Sequence, residues 1–113
     1  MSPDPLPVVW TGEIATVRLP GEVDVTNAAA VLTGLVAALD GGAKVVIVDM
    51  SDTSFCDSAG VASLVRAHRQ AAANQARVRL VTTAPAVQRI LSLTGVETLI
   101  PVFPTLTDAR SAD

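Results

Sequence analysis

Val46-Ile-Val-Asp-Met-Ser-Asp-Thr-Ser-Phe-Cys-Asp-Ser-Ala-Gly-Val61 is the stretch whose reading decides the fold. Together with Val45 it opens on four apolar residues with no polar alternation. A strand with one wet face alternates; a strand covered on both faces does not, and such strands are typical of parallel sheets. Asp49 ends the strand. A polar loop then runs to Asp57, interrupted by Phe55 and Cys56. From about Ser58 to Asn74, apolar positions at Val61, Leu64, Val65, His68 and Ala72 repeat with helical spacing and predict a helix.

The chain alternates in the same way on either side. Val78–Val81 is a second buried strand. Pro85 suits the first turn of a helix with Val87, Ile90 and Leu91 on its apolar face, and Gly95 closes it. Thr98–Ile100 and Val102–Phe103 are the last strand region, with a closing helix over Thr105–Ser111. Toward the N-terminus, Val31, Leu32, Leu35, Val36 and Leu39 form the stripe of a helix over Val25–Leu39. Thr26 or Asn27 is its N-cap and Gly41-Gly42 its end. Val8–Trp10 and Ile14–Leu19, joined by Thr11-Gly12-Glu13, make a hairpin. Residues 1–7 carry three prolines and are expected as a flexible tail, leaving one domain over 8–112. The order β-β-α-β-α-β-α-β-α predicts a single α/β domain with a mixed, mostly parallel sheet.

Composition excludes several classes. The 113 residues are half apolar, enough for one real core, which rules out intrinsic disorder. Eight basic residues against eleven acidic ones give a net charge of −3, arguing against nucleic-acid binding and against a polybasic membrane anchor. One cysteine and one histidine exclude a disulfide framework and a structural zinc site, and no metal or cofactor is expected. No apolar run nears the ~18 residues of a membrane span, and the start lacks the pattern of a secretory signal, so a cytoplasmic protein is expected.

Enzymatic chemistry finds no foothold. No Gly-rich dinucleotide or phosphate loop is present, and Gly41-Gly42-Ala-Lys44 precedes a strand, the wrong order for one. His68 and Ser58 lie about 15 Å apart along one helix, too far for a nucleophile–base pair. A phosphatase cysteine at Cys56 would need an arginine within a few residues, and none occurs from Asp57 to Val65. Cys56 therefore reads as an apolar plug. Asp49 sits where receiver domains carry their phosphorylated aspartate, but the accompanying acidic pair and lysine are missing.

Asp57-Ser58-Ala59-Gly60, placed after a strand, an aspartate and a loop, resembles the signature of STAS domains of the anti-sigma factor antagonist family. Gly21-Glu-Val-Asp24 is similar to that family's Gly-Glu-Leu-Asp, and Leu93-Thr-Gly-Val96 to its Leu-x-Gly-apolar ending. The resemblance implies that Ser58 is a phosphorylation site. It also implies that the partner is an anti-sigma factor that is itself a serine kinase, with a phosphoserine phosphatase to reset the switch. Asp24 and Asn27, with Phe55, Cys56, Asp57, Ser58, Ala59, Gly60 and Val61, are the expected partner face. The chain is then a kinase substrate and not an enzyme. Cys56 and Ala59 depart from the usual pattern, in which a larger apolar residue and often a second serine stand. Asp57 or Ser58 also suits a helix cap, Asp24 also suits a capping role, and Gly60 serves equally for close helix packing or close approach of a partner. The rival readings are a STAS subunit of a membrane lipid-transport ATPase complex and, from another class, a nucleotide-binding regulator or small enzyme.

Overall fold

The computed structural model describes residues 5–112, so Met1–Asp4 of the expected tail lie outside it. Two strands, β1 (Val8–Thr11) and β2 (Ile14–Arg18), form the expected hairpin, with Trp10 opposite Ala15. β2 then pairs in parallel with β4 (Val45–Asp49), β4 with β6 (Arg77–Val81), and β6 with β7 (Val102–Phe103). The sheet order is β1-β2-β4-β6-β7. Val46, Ile47 and Val48 have no exposed surface, as the unbroken apolar run requires.

The two faces of the sheet are covered unequally. On one side lie α1 (Ala28–Asp40), α2 (Ser58–Ala73) and α3 (Pro85–Thr94). They supply Val31, Leu35, Leu64, Ala67, Val87 and Leu91 to a core completed by Ala15, Val17, Val46, Val48, Val78 and Leu80. On the other side the six-residue α4 (Leu106–Ser111) places Ala109 on Ile47 and Val81. Leu6 packs over α1. A Cβ at Gly34 would stand 3.0 Å from Leu6 Cδ1.

The structure departs from the sequence expectations in four places. The first helix starts at Ala28, not Val25, because Asp24 builds a turn ahead of it. The Asp24 carboxylate accepts from the Thr26 N–H at 2.9 Å, and the Asp24 carbonyl accepts from the Asn27 and Ala28 amides. The expected strand at Thr98–Ile100 is instead a 3-10 turn over Val96–Thr98. Gly95 ends α3 at φ 76°, and the Thr98 amide and hydroxyl both fold back onto the Gly95 carbonyl. On α2 the buried stripe continues through Ala67 and Ala71, with Ala72 exposed and His68 half-buried. The polar loop contains a strand that its sequence hides. β3 (Glu22–Val23) and β5 (Phe55–Cys56) pair in parallel as a separate two-stranded ribbon.

Candidate functional site

The ribbon organises one end of the molecule. Around it, Ser54 N–H donates to the Gly21 carbonyl (2.8 Å), Asp57 N–H to the Val23 carbonyl (3.0 Å) and Thr53 Oγ1 to the Pro20 carbonyl (2.8 Å). These bonds hold residues 20–24 against residues 53–57. Beyond the ribbon, β3 leads into the 24–27 turn and β5 into α2. Ser63 Oγ donates to the Ala28 carbonyl (2.8 Å) and to the Ala59 carbonyl (3.3 Å), fastening the starts of α1 and α2 side by side. Asp24, Asn27 and the start of α2 are thus brought together, as the sequence implies.

Asp57 is the N-cap of α2. Its carboxylate accepts from the Gly60 N–H at 3.0 Å, and its carbonyl accepts from Val61. Ser58 follows at the first helical position, exposed, with no hydrogen bond to its hydroxyl among the described residues. Capping and hydroxyl presentation are therefore divided between adjacent residues. We expect Asp57→Ala to cost about 1 kcal/mol, the usual loss for an N-cap, read as a lower urea midpoint at unchanged slope.

Asn27 stands at the N-cap of α1 but does not cap it. Its side chain accepts from the Asp24 N–H (2.9 Å) and donates to the Glu22 carbonyl (2.8 Å), stiffening the turn behind Asp24. The hydrogen bonds from the Thr26 hydroxyl and amide hold the Asp24 carboxyl below its ordinary pKa. The carboxylate of Asp49, which is buried, accepts from the Ser51 amide and hydroxyl inside its own loop.

The expected face divides into a surface and its support. Phe55 is 48% exposed and Ser58 is exposed; Asp24, Asn27, Asp57 and Ala59 are half-buried. Cys56, Gly60 and Val61 are buried and meet the surface only from beneath. A Cβ on Gly60 would lie 2.6 Å from Cys56 Sγ and 2.8 Å from Val23 Cγ1, so close helix packing accounts for this glycine. Val25, 77% exposed in the 24–27 turn, belongs to the surface and is missed by a reading that places it inside a helix. An apolar residue directly after a turn-forming aspartate was the available signal.

Burial, with the Asp57 carboxylate adjoining, pushes the Cys56 thiol up to about 11. At pH 8 this leaves about a hundredfold less thiolate than an ordinary cysteine has. Iodoacetamide should therefore modify the native chain much more slowly than the urea-unfolded chain. The sign for stability follows. The unfolded thiol ionises from its ordinary value of 9.0, before the folded one, so raising the pH from there toward 11 favours unfolding. Equal alkylation rates in the two states would show that the thiol is not enclosed.

No helix of the described residues is long and apolar enough to cross a membrane, and they hold no cluster of three or more His, Cys, Asp or Glu suited to a metal. The family model described as the STAS domain matches residues 6–109. No curated protein matches the chain. Among solved structures, an anti-sigma factor antagonist from Mycobacterium paratuberculosis is 25% identical, with 94% of this chain and 90% of that one covered and a TM-score of 0.85. The anti-sigma factor antagonist SpoIIAA in its unphosphorylated form is 24% identical, with 93% and 92% covered and a TM-score of 0.78. The Bacillus cell fate determinant SpoIIAA in its phosphorylated form is 22% identical, with 93% and 96% covered and a TM-score of 0.70. The last two likenesses carry the fold. With nearly its whole length matched by the family model, the chain belongs to the STAS domain family.

Proposed function

We propose that this chain is an anti-sigma factor antagonist, switched by phosphorylation of Ser58 Oγ. In the unphosphorylated form it binds an anti-sigma factor with serine kinase activity through the 24–27 and 55–59 surface, so that the sigma factor is released. The kinase transfers a phosphoryl group from ATP to Ser58, and the complex comes apart. A phosphoserine phosphatase restores the binding form. The protein acts in the cytoplasm, as partner and substrate and not as catalyst.

One observation carries this reading: Ser58 is exposed at the helix start with its hydroxyl unengaged, while Asp57 does the capping. The Ser58 and Ala59 amides, which no acceptor among the described residues takes, and the helix dipole favour an anion there. The free protein therefore accommodates a phosphate of about −1.5 to −2 charges. A docked partner would have to desolvate that charge beside Asp57, which is costly. The membrane-complex reading shares the fold; a murine Slc26a9 anion transporter structure contains a domain matching 87% of this chain, at 24% identity over 17% of its own length. Incubation with the cognate kinase and ATP, followed by mass spectrometry, tests the proposal. Phosphate is expected on the peptide containing Ser58 and absent from Ser58→Ala. Phosphorylation of Thr53 or Ser54 at the wild-type rate in that variant overturns it.

A further inference from the structure

A second site lies at the opposite end of the sheet from Ser58. The register sets Val45 beside Arg77 at one end of the parallel strands and Asp49 beside Val81 at the other. At the Arg77 end, β7 begins only opposite Leu80, so the outer edge of β6 before it is open. A cavity of about 210 Å³ occupies that opening, lined by His68, Arg77, Val78, Arg79, Leu99 and Phe103 among others.

Its charge is out of place. Arg79 is 6% exposed, yet Nη1 makes its one side-chain hydrogen bond among the described residues, to the Ala109 carbonyl at 2.8 Å. The only ion pair among those residues joins Arg18 to Asp52, so neither Arg79 nor Arg77 has a carboxylate partner there. Thr16 Oγ1 is the only buried side-chain polar atom without a partner among the described residues, so the unused donors of the Arg79 fork are not sealed in but open onto the cavity that Arg79 lines. The backbone adds a donor. Arg77 N–H points to the Lys44 carbonyl and Leu80 N–H to the Pro101 carbonyl, so alternate amides face opposite edges. The Val78 amide thus faces the same way as that of Leu80, where β7 does not reach. Leu99, Val78 and Phe103 supply apolar wall.

We propose that this cavity binds a small carboxylate with an apolar body, its carboxyl group held by Arg79 with Arg77, and its body against Phe103 and Leu99. A planar guanidinium fits a carboxylate with two parallel hydrogen bonds, and the apolar wall favours an organic acid over a fully hydrated inorganic anion. The site is independent of the Ser58 surface.

Benzoate is the probe. Titrated into the isotope-labelled full chain, it should move the amide resonances of residues 77–80, 99 and 103 saturably, with a dissociation constant in the millimolar range or tighter. Benzamide, the neutral isostere, should bind at least tenfold more weakly. Arg79→Gln should weaken benzoate by about tenfold or more, as expected for a lost charge-assisted bond. Because Arg79 is buried and its variant tests folding as well as binding, Arg77→Gln on the exposed side is the second variant, with a loss of about threefold or more. Asp113, which follows cavity-lining Ala112 and lies outside the described residues, is changed to Asn in parallel; benzoate binding should be equal or tighter. No saturable shift at these residues, equal binding of benzamide, or equal or tighter binding of inorganic phosphate overturns the proposal.

Discussion

Gly60→Ala should lower the stability of this domain, although alanine is the better helix former. The substitution gains roughly 0.5–1 kcal/mol of helix propensity. Against that, the new methyl meets Cys56 Sγ at 2.6 Å and Val23 Cγ1 at 2.8 Å, distances that real Cβ atoms do not sustain. Neither neighbour moves freely. Val23 and Cys56 are buried, and they are paired with each other in the ribbon. Overpacking costs about 1–3 kcal/mol, and two such contacts on fixed neighbours place this one at about 2–3 kcal/mol, so the net effect is a loss of about 1–2 kcal/mol. For a domain of this size that is a fall in Tm of about 5–10 °C by calorimetry. Adding Cys56→Ala removes the nearer obstacle and should recover part of the loss. A Tm that rises in Gly60→Ala would mean that α2 does not sit this close to the ribbon.

If the chain acts as proposed, Ser58→Asp should leave the fold intact and abolish most binding to an anti-sigma factor. The added carboxylate falls on an exposed position at the positive end of α2, so far-UV circular dichroism should be unchanged. In the complex it would be desolvated beside Asp57. Charge pairs and burial of this kind are worth about 2–5 kcal/mol, upwards of about thirtyfold in affinity. Ser58→Ala, which adds no charge, should bind nearly as wild type does. Calorimetry on the three proteins decides; equal affinity of Ser58→Asp and wild type would place Ser58 outside the interface.

Sequence carried most of the sheet because its signals are local. Val45–Val48, four β-branched residues in a row, reads as a doubly covered strand, and Pro85 and Gly95 bracket α3 as their backbone preferences dictate. The signals failed where a distant partner decides. Phe55-Cys56 is too short to announce a strand; it becomes one because Glu22-Val23 runs beside it. Thr98-Leu-Ile100 has strand composition, but the left-handed Gly95 and the Thr98 hydroxyl fold it into a turn. At the candidate site, the place of Asp57 and Ser58 at a helix start was legible from their order, but which of the two caps it was left open, and a role for Ser58 came only from the family resemblance. The division between exposed Phe55 and Val25 and buried Cys56 and Gly60 was not, because one-residue alternation in a two-residue strand cannot be phased without its partner.

The ribbon also sets how this end of the molecule breathes. Its bonds join residues 33 positions apart in the chain, at Pro20 to Thr53 and Gly21 to Ser54. Neither loop can lift away while the other stays closed, since each holds the other's amides and carbonyls. Opening here is a cooperative event. The amides of Ser54 and Asp57 should exchange with deuterium at matched rates, under one opening free energy, faster than the Val46–Val48 strand and more slowly than the exposed turn at Gly12.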